Sequence, residues 1–142
     1  RLVIIGSGDE AKTLRKLAGP MVTFKGNLSD EEVQETFLHA KAFLFPGEED
    51  FGLTLVEAQS AGVPVLAFGK GGALETVKDG KTGLFFYEQT TESLVECINR
   101  FENEGVSFSR NEIQQYSKAF SQEAFRKTFK AYVDQCLKQW NK

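Results

Sequence analysis

Glu49 and Glu57 stand with seven residues between them, and Phe51 and Gly52 lie in that interval. The stretch from Phe45 to Val65 reads as a strand end, a loop and a helix that starts near Phe51. The first turn of a helix carries N–H groups with no partner inside the helix. Phe51, Gly52 and Leu53 therefore offer an anion site suited to a diphosphate, and Gly52 lets the backbone come close. At about 1.5 Å per residue, Glu57 lies roughly 9 Å along the axis from Phe51, near the span from phosphate to ribose. Two adjacent ribose hydroxyls suit a two-oxygen acceptor. On a helical wheel Leu53, Leu55, Val56, Ala58 and Ala61 spread around most of the circumference, so this helix is expected to be buried on most sides. Glu57 would then sit in mostly apolar surroundings, where a carboxylate must be paired or kept for a ligand. Glu49 precedes the helix and would face the opposite side of the phosphates, where a sugar joined to them projects. Taken alone, Glu49 reads equally well as a solvated member of the acidic run Glu48-Glu49-Asp50.

The elements that must place these residues alternate along the chain. Short apolar runs at 2–5, 22–25, 42–45, 65–68 and 84–86 are separated by helical patterns at 9–17, 30–38, 51–61 and 73–77. Strands spaced by helix-length segments pair in parallel through right-handed crossovers. The pattern predicts an α/β fold, a doubly wound, Rossmann-like parallel sheet of five strands with six or seven helices. Ligands of such sheets bind at the carboxyl ends of the strands, where the 46–52 loop belongs. Ser29-Asp30-Glu31-Glu32 is a capping box. Beyond Gln89 the pattern is purely helical, over 91–101, 111–116 and 122–140, with no repeat, low-complexity tract or domain boundary inside the chain. The last helix gathers Phe125, Phe129, Tyr132, Val133, Cys136, Leu137 and Trp140 into one stripe. It is read as packed on its own domain in preference to lying on a membrane, since membrane-surface helices usually show a denser basic face. Part of the stripe is left for a domain outside the chain.

Length and composition narrow the rest. The chain has 142 residues, about one domain, and carries a net charge of -3, which argues against nucleic acid. No apolar run reaches the roughly 20 residues needed to span a bilayer. Cys97 and Cys136 fall in helical segments without metal-site or disulfide spacing and read as reduced, half-buried core residues of a cytoplasmic protein. The only methionine is Met21, and an apolar run begins at Leu2, so the sequence is expected to be a piece of a longer protein.

The run Glu49-Asp50-Phe51-Gly52-Leu53-Thr54-Leu55-Val56-Glu57-Ala58, continued by Ala61-Gly62-Val63-Pro64-Val65, closely resembles the retaining glycosyltransferases of the two-domain GT-B fold, in particular the large family that includes bacterial mannosyltransferases. Supporting matches are Ile5-Gly6-Ser7-Gly8, Val22-Thr23-Phe24-Lys25-Gly26 and Gly71-Gly72-Ala73-Leu74-Glu75-Thr76-Val77. The resemblance implies that residues 1–142 form the carboxyl-terminal, donor-binding domain, with extra helices at its end, of an enzyme whose amino-terminal acceptor domain lies outside this chain. It implies that Glu57 holds the ribose, that backbone groups at Phe51, Gly52 and Leu53 hold the phosphates, and that Glu49 is the catalytic residue, contacting the donor sugar near the reacting carbon. It also implies transfer with retention, no cofactor and no metal, and a basic Arg and Lys pair upstream of Arg1. The intact enzyme could then lie at the inner face of the cell membrane.

Gly6-Ser7-Gly8-Asp9-Glu10-Ala11 fits a dinucleotide-binding pattern, but that pattern expects an acidic residue at the end of the next strand and Lys25 stands there. Gly6 and Gly8 are read instead as letting a nucleotide sugar approach. The family's base sits against the loop after the second strand, here Gly26-Asn27-Leu28-Ser29-Asp30. Leu28 would face the base, and Asp30 could accept from the guanine ring N–H and amine together, which favours GDP over UDP, while mannose as the donor sugar, hence GDP-mannose, is what the family resemblance implies. An acid in the first turn of a capped helix is favoured without any ligand, so the alternative of a purely structural Asp30 stands beside it. Gly69-Lys70-Gly71-Gly72 is either an ordinary turn or a cover for the donor sugar, and His39 reads as a helix-end residue. Two other functions fit the same fold: a nucleotide-sugar epimerase and a non-catalytic nucleotide-sugar-binding module.

Overall fold

A computed structural model describes residues 1–103 and 107–140. The chain forms two compact units, Arg1–His39 and Ala40–Lys142. No Pro/Gly-rich stretch or change of composition marks the junction at His39 and Ala40, so the sequence gives no sign of it.

In the amino-terminal unit β1 (Leu2–Ile5) pairs in parallel with β2 (Val22–Gly26), and the register slips between Ile4 and Ile5. α1 (Ala11–Leu17) and α2 (Asp30–Leu38) follow the two strands. The capping box at α2 is fully formed: Ser29 N donates to Glu32 Oε2 at 2.8 Å and Glu32 N donates to Ser29 Oγ at 3.3 Å. Arg15 stacks over the Phe24 ring at 4.7 Å, a cation–π contact across the strand and helix.

The carboxyl-terminal unit is built on the parallel ladder β3 (Phe43–Phe45), β4 (Val65–Phe68) and β5 (Gly83–Phe86), with β4 in the middle. The five expected strands are all present, but they pair as a two-stranded and a three-stranded sheet, not as one ladder. A central parallel strand is covered on both faces and must be apolar throughout, and Val65-Leu66-Ala67-Phe68 is buried at every position. Leu66 and Phe68, with Leu84, Phe86 and Cys97, form one core cluster, to which Leu94, Ile98, Phe101 and Phe108 add. α5 (Thr91–Asn103) supplies Cys97 and its neighbours there. α3 (Leu53–Ser60) packs against α6 (Arg110–Ser117), which contributes the fully buried Ile113.

Among the described residues, no strand lies beside the outer border of β5. Side chains and a turn fill its hydrogen-bonding positions: Phe85 N donates to Asp79 Oδ1 at 3.2 Å, Phe85 O accepts from Arg100 Nη1 at 3.4 Å, and Gly83 O accepts from Gly80 N at 2.8 Å. This is how an edge strand is kept from recruiting another.

A short 3-10 turn, Lys118–Phe120, leads into α7 (Gln122–Trp140). α7 has the expected bounds but not the expected burial. None of its residues is buried, and Phe125, Phe129, Tyr132, Leu137 and Trp140 are all exposed. Cys97 is buried as anticipated, whereas Cys136 on α7 is exposed. Periodicity identifies which side of a helix is apolar, and nothing among the described residues of the unit buries that side here.

Candidate functional site

Loops at the carboxyl ends of β3 and β4 meet through their backbones. Gly72 N donates to Glu49 O at 2.7 Å. A Cβ on Gly71 would come within 2.5 Å of Glu49 O, and one on Gly72 would overlap the Phe51 backbone and stand 2.6 Å from Asp50 O. Only residues without a side chain allow this approach, so the Gly71-Gly72 pair sets the position of the segment carrying Glu49. Lys70 Nζ pairs with Glu48 Oε2 at 3.0 Å across the same two loops. Both partners are well exposed, which limits the pair to about 0–1 kcal/mol. Gln89 Nε2 donates to Pro46 O at 2.9 Å and ties in the loop after β5.

α3 begins at Leu53, two residues later than the sequence suggests, because Gly52 takes a left-handed conformation with φ 77° as its N-cap. A Cβ at Gly52 would also strike the Leu55 side chain at 2.6 Å. Leu55 N closes the first turn on Gly52 O at 3.0 Å. The N–H groups of Gly52, Leu53 and Thr54 donate to no acceptor among the described residues, and the first turn holds no acidic side chain. Gly52 is buried while Leu53 and Thr54 are exposed, so the positive end of α3 faces outward at its first two residues. The Phe51 ring packs edge-on against Phe120, with centroids 6.0 Å apart, which anchors the residue just before the turn.

Glu57 is not in apolar surroundings. α3 buries Leu55, Ala58 and Gln59 and leaves Leu53, Glu57 and Ser60 exposed, with Leu53 retaining 66% of its surface. Leu53, Glu57 and Ser60 recur at four and three residues and so share one face. The expectation of a helix buried on most sides fails because Leu53, its first residue, points outward despite being apolar. Glu57 thus lies about 6 Å along the axis from the free N–H of Leu53, on an accessible face. Glu49 is exposed as well. Glu49, Phe51 and Gly52 precede the first turn of α3, Leu53 opens it, and Glu57 lies one turn further along its exposed face.

Gly6, Gly8, Leu28 and Asp30 lie in the amino-terminal unit. Gly6 N donates to Gly26 O at 2.7 Å and Ser7 Oγ to Asn27 Oδ1 at 2.9 Å, which joins the loop after β1 to the loop after β2. Gly6 has φ 112°, and nothing lies within 4 Å of a Cβ built on Gly6 or Gly8. Both glycines border open space. Leu28 is half-buried, and Asp30 is exposed as the first residue of α2. Ser7, Asn27, Glu48 and the buried Gln59 were not singled out from the sequence. Each has a partner distant in the chain, Asn27 for Ser7, Lys70 for Glu48 and Thr76 for Gln59, so no local spacing announces them.

The family described as "Glycosyl transferases group 1" matches residues 1–120. A GDP-mannose-dependent alpha-(1-6)-phosphatidylinositol monomannoside mannosyltransferase of Mycobacterium tuberculosis is 36% identical over 110 residues, covering 68% of this chain and 29% of that protein. A GDP-mannose-dependent alpha-mannosyltransferase of Corynebacterium glutamicum is 35% identical over 103 residues, covering 69% of this chain and 25% of the relative. Among solved structures, the lipopolysaccharide outer core galactosyltransferase WaaB superposes with a TM-score of 0.84 at 24% identity, over 95% of this chain and 40% of that one. Sucrose-phosphate synthase from Thermosynechococcus elongatus gives 0.81 at 25% identity, over 97% and 39%. The chain thus spans less than a third of these two curated relatives.

Proposed function

The chain belongs to the glycosyl transferases group 1 family, and from that premise we propose that it is the donor-binding part of a retaining, metal-independent glycosyltransferase that uses GDP-mannose. One observation carries the reading: free N–H groups at the start of α3 stand between Glu49, held by the Gly71-Gly72 loop, and Glu57, one turn along the exposed face.

In this reading the diphosphate lies on the N–H groups of Phe51, Gly52 and Leu53, with that of Thr54 beside them. As the bond from the anomeric carbon to the phosphate oxygen breaks, negative charge builds on the departing diphosphate. Oriented N–H dipoles already in place stabilise that charge without reorganising. Glu57 accepts from the ribose hydroxyls and Glu49 meets the sugar near the reacting carbon. The acceptor hydroxyl adds to the anomeric carbon on the face that the phosphate leaves, and its proton goes to the departing phosphate oxygen. An amino-terminal acceptor domain and an upstream basic pair would complete the enzyme. A glycan or lipid-linked acceptor fits the phosphatidylinositol mannoside named for the mycobacterial relative. GDP-mannose is favoured by the names of that relative and the corynebacterial one. Competition binding of GDP, UDP and ADP to the chain tests this, with GDP expected to bind tightest. Tighter binding of UDP would overturn the guanine assignment, and no binding of any of the three would overturn the donor site.

A further inference from the structure

Gln59 and Thr76 take no part in the exposed face of α3, yet they lead to the backbone of Glu49. Gln59 is fully buried, and its Nε2 donates to Leu55 O at 3.1 Å and to Thr76 O at 2.9 Å. Thr76 is also fully buried and closes α4 (Ala73–Thr76). Its Oγ1 donates to Gly72 O at 2.9 Å, an acceptor that also receives the N–H groups of Glu75 and Thr76. Gly72 N then donates to Glu49 O at 2.7 Å. These contacts form a run from the core side of α3, through α4 and Gly72, to Glu49.

Two features make the run more than ordinary packing. α4 has four residues, too few for a helix to hold its own direction, so its orientation depends on what grips its ends. Gln59 grips the carbonyl at its last residue. Gln59 Oε1 is buried without a partner among the described residues, so an apolar side chain of similar size would avoid a cost that Gln59 incurs. What the amide provides in return is the donor to Thr76 O.

We infer that Gln59 and Thr76 are positioning residues for the sugar-binding side of the site. Through Gly72 they fix where the Glu49 segment stands relative to the first turn of α3. The inference rests on the proposal that Glu49 meets the donor sugar. Glu57 and the N–H groups of Leu53 and Thr54 belong to α3 itself and do not depend on the run. Contacts to nucleotide and contacts to sugar are therefore separable by substitution.

Thr76→Val keeps the shape and removes the hydroxyl, Thr76→Ser restores it, and Gln59→Met removes the amide donor. In the 142-residue chain, amide exchange at Gly72 reads the tether, and the ratio of GDP-mannose to GDP affinity by calorimetry reads its consequence. Thr76→Val and Gln59→Met are expected to speed Gly72 exchange roughly two- to tenfold and to lower the affinity ratio by a similar factor. GDP affinity alone should stay within about twofold, and Thr76→Ser should recover both readings. Unchanged Gly72 exchange in both variants overturns the inference, as does an equal loss of GDP and GDP-mannose affinity, which marks general loosening. If the unaltered chain binds neither ligand, the donor-site reading fails, and the inferred role in sugar binding fails with it. Gly72 exchange then still decides whether the run holds the Glu49 segment.

Discussion

Glu57 shows how one residue's surroundings depend on helical phase. Leu55, Ala58 and Gln59 take the core side of α3, so the carboxylate falls with Leu53 and Ser60 on the open side. An exposed charge of this kind incurs no burial penalty and contributes little to folding. Glu57→Ala should change stability by no more than about 0.5 kcal/mol. Its loss from a ribose contact should weaken GDP binding by about 1.5–3 kcal/mol. Thermal unfolding and calorimetry on one preparation separate the two, and equal GDP affinity in both proteins would remove Glu57 from the site. Gly72 presents the opposite case. Its missing side chain leaves room for the Phe51 backbone, which cannot swing aside as a flexible side chain would. Gly72→Ala is expected to cost about 1–3 kcal/mol in a urea titration. Gly8→Ala, which meets open space, should stay within about 0.5 kcal/mol.

At the scale of elements, the strands and helices were largely legible. The bounds read for β1, α2, β4 and α7 coincide with those observed. The signals there are local: the Ser29 capping box, the unbroken apolar run of β4, and the three- and four-residue spacing of α7. The parallel sense of strand pairing was legible from the alternation with helices, but the division into two sheets was not, because nothing within a strand states which neighbour it takes. The burial of α7 was misread for a related reason, since a stripe reports polarity and not contact. Two labels follow from its exposure. The single tryptophan, Trp140, keeps 87% of its surface, so acrylamide should quench it nearly as freely in the folded chain as in urea. Cys136 should react with iodoacetamide while Cys97 does not, because burial both hides the Cys97 thiol and pushes its pKa up. Rapid modification of both, read by mass spectrometry, would contradict the packing of Cys97, on the inner face of α5, against β4 and β5. Of the candidate site, the Glu49 to Glu57 run could be proposed from sequence because its residues are neighbours there. The Gln59, Thr76 and Gly72 run could not, because it forms only when α3 and α4 come together.

For the whole molecule, electrostatic help and acceptor placement must both be supplied before a sugar moves. The chain covers 29% of the mycobacterial relative and 40% of WaaB. By itself it is expected to bind donor without transferring or hydrolysing it, which chromatography of GDP-mannose incubated with the chain would check. The intact enzyme should keep its activity in EDTA. Activity abolished by EDTA and restored by manganese would contradict the metal-independent part of the proposal. No helix among the described residues is long and apolar enough to cross a membrane. Strand addition between copies of this chain at β5 is opposed by Asp79 and Arg100. Their contacts with Phe85 occupy the rungs on which a stranger's backbone would have to climb. Crowded copies, whether in a concentrated stock or fresh from the ribosome, thus find at β5 a border already signed for, and fibril growth from it must first evict two side chains.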